Sequence, residues 1–266
     1  MPIMNQKNCL SGFGVKMLGV VLMVFDHIHQ MFYMAGAPVW FTWLGRPVAP
    51  LFLFMSAEGF HYTRSKRRYV LGLLIAFEVM NALSQLLQTV LPNEQVVLIN
   101  SIFGTLFFAT LYMAFIDLIR SGARKGSPGR VLAGIALLTL PVLWSFLALS
   151  LMSLTVMTPT LARVLIYLPN MATVEGNFTW VALGALFYLF REKRPLQFIA
   201  LAAIAVFAYA TGDHVQAFML FAAVPMALYD GRRGGEGSPL ASKNFFYIFY
   251  PAHIYALYIL STLLVK

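Results

Sequence analysis

The sequence predicts an all-α, polytopic membrane protein of about nine transmembrane helices, within a range of eight to ten, forming a single integral domain over 1–266. Three observations predict it. Of 266 residues, 60% are hydrophobic and 11% are charged, far below the roughly 25% charged of a soluble domain. The apolar residues fall in runs that approach the ~20 residues a helix needs to cross about 30 Å of hydrocarbon, so the spans are helices and not barrel strands. The basic residues gather in the loops of one side.

Breakers delimit nine apolar runs, at 14–34, 47–63, 69–90, 96–119, 130–156, 178–190, 195–211, 214–229 and 243–264. The first follows Lys7 and Lys16 but has no A-x-A-like cleavage site and carries Asp26 where a signal core is apolar, so it reads as a retained helix. The second runs into the basic Arg64–Arg68 stretch, the third starts beyond it, and the fourth ends at Arg120. The fifth leads into the 157–177 connection, which has room for a re-entrant or interfacial piece. The sixth is short and ends at Arg191; the seventh and eighth are separated by Gly212 and Asp213. The ninth follows the Gly-rich "DGRRGGEGS" of 230–238, read as a flexible connector in preference to a phosphate cradle.

Charge sets the orientation. With the N-terminus inside, the cytoplasmic loops collect sixteen of the 19 basic residues, and the other side keeps only Arg46, Arg163 and Lys266. That bias places the N-terminus in the cytoplasm and the C-terminus outside, with an odd number of spans. The net charge of +9 is therefore topological, and no nucleic-acid partner is expected. Cys9 is alone, so it forms no internal disulfide.

Chemistry concentrates in "DHIH", residues 26–29. Asp26 lies about 18 Å along the first helix, near the bilayer midplane, where a charge costs at least ~2.5 kcal/mol and usually faces a bundle interior or a cavity. On a helix Asp26 and His29 share a face while His27 points about 100° away. An aspartate beside an imidazole fixes its tautomer and raises its basicity, as a general base requires; a buried pair that merely ties helices together is the bland alternative. Lys16 stands eleven residues before His27 on nearly the same stripe, either a snorkelling lysine or a cation below the base.

A second polar site lies in "FFYIFYPAHIYALY", 245–258, where His253 is again roughly 15 Å deep and Tyr250 shares its face. Pro251 is expected to kink this helix and free the Tyr247 carbonyl. In "PLFLFMSAEGFHYTRSKRRY", Glu58 and His61 are three apart. Arg64, Lys66, Arg67 and Arg68 form either a positive-inside loop or a phosphate-binding mouth, for which guanidinium forks are suited. Glu78, Asn81, Gln85 and Gln88 make a polar stripe which, with Asn100, Ser101 and Thr105, lines either an outward crevice or a helix seam. The histidines lack metal-ligand spacing, so no metal is expected.

The blocks "DHIH", "GRPVAPLFLFMSAEGFHYTRSKRRY" (45–69), "ALYDGRRG" (227–234) and "FYIFYPAHIYALY" (246–258) together resemble the TraX family, multi-spanning bacterial proteins named for the acetylase that blocks the N-terminus of conjugative pilin. Asp26 and His27 match the family's first block; Gly45, Arg46, Pro50, Glu58 and Gly59 its second; Tyr250, Pro251 and His253 its last. His29 departs from an expected glycine and Asp230 from an expected asparagine. The resemblance implies a bacterial inner-membrane acetyltransferase with acetyl-CoA as co-substrate and an envelope acceptor, a pilin N-terminus or a glycan.

In that reading His27, oriented by Asp26, deprotonates the acceptor, and His253 and Tyr250 place the thioester carbonyl and stabilise its oxyanion. Lys16, Arg46, Arg64, Arg67 and Arg68, with Glu58 and His61, serve CoA. A direct route and an acetyl-histidine route are both open. The rival reading is a proton-coupled transporter with Asp26, His27, Glu58 and His253 as a titrating relay, although the chain lacks the repeated halves many transporters show.

Overall fold

The computed structural model describes residues 10–99, 101–153, 158 and 168–264. Its helices are α1 (Gly12–Phe32), α2 (Trp40–Gly45), α3 (Val48–Tyr62), α4 (Lys66–Val90), α5 (Ile102–Arg124), α6 (Pro128–Met152), α7 (Asn177–Leu189), α8 (Arg194–Ala210), α9 (Ala223–Leu228) and α10 (Lys243–Leu264). A 3-10 helix, Val215–Ala222, runs directly into α9. The described residues contain no β-strand, only a single bridge between Leu10 and Tyr229.

Each of the nine apolar runs falls on a helical segment. Among the described residues five helices, Gly12–Ala35, Lys66–Val90, Ile102–Arg124, Pro128–Met152 and Asn244–Leu264, are long and apolar enough to cross a bilayer, the character of a multi-pass membrane protein. The re-entrant reading of 157–177 lies largely outside the described residues, as do Cys9, Asn100 and Arg163.

The fourth run starts later than expected. Residues 96–99 are not helical, and α5 begins at Ile102, where the Ser101 hydroxyl caps the Phe103 N–H. Apolarity alone does not separate an extended segment from a helix. Here Gln88 decides: its side-chain amide donates to the Leu98 carbonyl at 3.2 Å and accepts from the Leu98 N–H at 2.9 Å. Asn93 Nδ2 donates to Thr262 Oγ1 at 2.9 Å and Tyr258 donates to the Leu91 carbonyl at 2.9 Å, pinning the segment to α10.

The chain forms two compact units. The first comprises 1–55, 86–98 and 193–266. In it α1 packs against α2 and α10. Lys16 lies over the Phe246 ring at 5.5 Å and His27 meets His253 seven residues further along α10, so the two helices run parallel.

The Gly-rich loop is an ordered cap in this unit and not a loose connector. Leu10 N–H donates to the Leu228 carbonyl, and Gly12 and Phe13 N–H donate to the carbonyls of Arg232 and Arg233 at 2.8 Å. These bonds satisfy N–H groups that an α-helix start leaves orphaned, so the loop closes the α1 N-terminus in place of an anion. Gly234 makes this fit possible: its φ is +64°, and a Cβ there would overlap Ser11. The Arg232 guanidinium, bonded to Asp230, holds that carboxyl below its usual range.

The second unit comprises 56–85 and 99–192, with α5 packed between α6 and α7 around Met113, Leu183 and Phe187, all with 0% exposure. Thr105 Oγ1 donates to the Glu175 carbonyl at 2.6 Å, Trp144 Nε1 donates to the Pro169 carbonyl, and the Met171 N–H donates to Ser145 Oγ. Ser101 and Thr105 are buried, so they do not line an outward crevice; they belong to an internal seam.

Candidate functional site

The polar site of the first unit rests on α1, α2 and α10. His27 Nδ1 and His253 Nε2 are 2.7 Å apart, and His253 Nδ1 lies 2.8 Å from the Phe249 carbonyl. With both imidazoles neutral, these two distances assign the tautomers. A carbonyl only accepts, so His253 Nδ1 carries the proton and its Nε2 offers a lone pair. His27 Nδ1–H donates to that lone pair, and His27 Nε2 is left as a lone pair with no hydrogen-bond partner among the described residues. The imidazoles stack at 4.9 Å between centroids, and the Tyr250 ring lies 6.1 Å from His27 and 5.9 Å from His253.

Two expectations are corrected by these bonds. Asp26 does not orient His27: its Oδ1 accepts from Arg46 Nη2 at 2.9 Å and its Oδ2 from Gln30 Nε2 at 2.8 Å. The reason is helical geometry, since adjacent residues diverge by about 100° and an (i, i+4) glutamine lies on the carboxylate's own face. Nor does His253 have a donor left for an oxyanion, because its one N–H is held by Phe249. That bond follows from the backward lean of helical side chains toward the preceding turn. The carbonyl that accepts from His253 is that of Phe249, one turn back along the helix.

Arg46, expected among the CoA-binding cations, belongs to this cluster instead. Its Nε donates to the Thr42 carbonyl at 3.2 Å and its Nη1 to Gln216 Oε1 at 3.3 Å, beside the Asp26 pair. Gly45 permits the approach: a Cβ at that position would overlap the Asp26 side chain. Gln216, which sequence reading missed, comes from the 3-10 helix and is 7% exposed; a lone amide in an apolar run was its only signal. His29 Nδ1 donates to the Ala37 carbonyl at 3.1 Å, so this departure from the family ties down the loop after α1.

Of the other predicted residues, Lys16 belongs to the first unit and Glu58, His61, Arg64, Arg67 and Arg68 to the second. Lys16 lies near Arg233 in a small pocket lined also by Phe13, Gly234, Ala241 and Phe246. Glu58 and His61 stand on α3 in the second unit, with the His61 ring edge-on to Tyr62 at 4.7 Å. Arg64, Arg67 and Arg68 are exposed. Lys66 is taken out of the supposed phosphate mouth by an ion pair with Asp117, whose other oxygen accepts from the Tyr188 hydroxyl at 2.7 Å.

The arrangement defines a multi-pass membrane protein whose first and last helices bring two imidazoles into one hydrogen-bonded chain. The chain belongs to the TraX family: the family described as "TraX protein" matches residues 11–261, which include Asp26, His27, Arg46, Tyr250 and His253. Among curated proteins and solved structures, none matches it.

Proposed function

We propose that the protein is a membrane-embedded acetyltransferase that moves an acetyl group from cytoplasmic acetyl-CoA to an amine or hydroxyl of an envelope acceptor, such as a pilin N-terminus or a glycan. The observation that carries the reading is the His27–His253 pair, which holds one imidazole nitrogen, His27 Nε2, as an available base. The acetylase for which the TraX family is named supports the choice of acetyl transfer.

In the proposed reaction the acceptor's N or O bonds to the acetyl carbonyl carbon as its proton passes to His27 Nε2. His253 acts as a positioning residue, accepting from His27 Nδ1 and sharing the charge of the imidazolium that forms. Tyr250 donates to the oxyanion. The C–S bond then breaks, and the proton on His27 Nε2 goes to the departing thiolate, releasing CoA thiol and restoring neutral His27.

The parallel course of α1 and α10 supports an odd number of spans, nine in this reading, and the bias of basic residues supports an N-terminus in the cytoplasm, with the bacterial inner membrane as the site. A proton relay is the competing use of two linked imidazoles. The chain of bonds ends on the Phe249 carbonyl, which holds no proton to hand on, and this favours the base.

The test is thiol release from acetyl-CoA by purified protein in nanodiscs, wild type beside His27→Ala. Release by wild type and its loss in the variant is the expected result. No release and no CoA binding by a well-folded wild type would overturn the acyltransferase reading.

A further inference from the structure

The pocket formed by Phe13, Lys16, Arg233, Gly234, Ala241 and Phe246 is outside the chemistry described above. Two cations line it, and they differ in kind. Lys16 rests on the Phe246 ring. Arg233 is exposed and its guanidinium makes no ion pair among the described residues, whereas its neighbour Arg232 is engaged by Asp230. The backbone of Arg233 is pinned, because its carbonyl accepts from Phe13 N–H and the next residue, Gly234, sits where no side chain fits. An exposed guanidinium on a pinned backbone beside a lysine suits a phosphate.

The pocket also stands in register with the imidazole pair. It touches α1 at Lys16 and α10 at Phe246, and the pair lies on the same two helices at His27 and His253. At 1.5 Å per residue the rise is about 16 Å along α1 and about 10 Å along α10. The arm of acetyl-CoA from pyrophosphate to thioester carbonyl is about fourteen bonds, roughly 16 Å when extended at the span a polypeptide gives per bond.

We propose that the Lys16–Arg233 pocket holds the phosphate-bearing head of acetyl-CoA, so that its arm follows the α1–α10 seam and presents the thioester at His27. The assignment rests on the acetyltransferase reading and moves the phosphate site from Arg64, Arg67 and Arg68 to the Gly-rich loop. A phospholipid phosphate is the other source of the same chemistry.

The experiment is calorimetric titration of full-length protein in zwitterionic nanodiscs with CoA and, separately, with adenosine 3′,5′-bisphosphate, alongside KM for acetyl-CoA. Arg233→Glu and Lys16→Ala are expected to weaken both ligands at least tenfold and to raise KM by a similar factor. Arg233→Lys should show only part of that loss, and Arg124→Glu, a charge change elsewhere, should show none of it. His27→Ala should bind both ligands as wild type does while releasing no thiol. Unchanged CoA affinity and KM in folded Arg233→Glu and Lys16→Ala would overturn the pocket while thiol release by wild type left the acetyltransferase standing. A wild type that neither binds CoA nor releases thiol would overturn both. If Arg233→Glu alters only thermal stability, and only in nanodiscs with phosphatidylglycerol, the pocket serves a lipid phosphate and the assignment to CoA fails.

Discussion

The two units each carry a polar cluster among apolar helices, and the clusters differ in how they end. In the second unit Lys66, Asp117 and Tyr188 form a closed set, each carboxylate oxygen having its own donor. Phe60 and Tyr188 wrap the ammonium, their ring centroids 5.1 and 6.0 Å away. In the first unit Asp26 and Arg46 are similarly compensated, with side-chain exposures of 14% and 22%, yet the imidazole chain beside them stops at an unengaged nitrogen. The contrast teaches where to look for reactivity: a satisfied ion pair holds helices together, whereas a lone pair held in place without a partner is available to a substrate.

The sharpest way to break the contrast is His27→Ala, expected to lower thiol release by about 10²–10⁴-fold, the usual contribution of a general base, with little change in melting temperature. Next, His253→Ala removes the acceptor of His27 Nδ1–H; an effect of about 10–100-fold on kcat is expected, with KM for acetyl-CoA nearly constant. A KM change as large as the kcat change would instead place His253 in substrate binding. Arg46→Ala leaves Asp26 in apolar surroundings with only Gln30, and the expected loss is about 3 kcal/mol, in line with broken buried pairs, read by denaturant titration in mild detergent. Gly45→Ala forces α2 away from Asp26 at a cost of about 1–3 kcal/mol. Smallest is Asp117→Ala, about 1 kcal/mol, since Lys66 is 40% exposed and water screens it; its activity per folded molecule should match wild type. A loss of turnover there would erase the distinction between the clusters.

Much of the architecture was legible because a membrane helix announces itself residue by residue. The mid-helix place of His253, ten residues into α10, was legible too, whereas His27 lies fifteen residues into α1 and only five from its end. Partner choice was not. Asp26 and His27 are neighbours in the chain but point apart on the helix, while Arg46 reaches Asp26 only because residue 45 lacks a side chain. The shift of α5 to Ile102 was hidden because residues 96–99 are as apolar as a helix start, and what holds them out of the helix is the pair of bonds from Gln88 in α4 to Leu98. The loop 230–238 read as slack because glycine signals freedom in either case; only pairing with residues 10–13 shows that the freedom is spent on one shape.

His27 and His253 are 226 residues apart in sequence. During synthesis His27 is made 226 residues before its hydrogen-bond acceptor, which is delivered only with α10. Any chain halted before α10 would therefore insert most of its apolar mass while lacking the acceptor that fixes the first imidazole. The orientation of the His27 imidazole is thus set by a helix made long after its own, and a chain without α10 holds that ring with no His253 to accept from it.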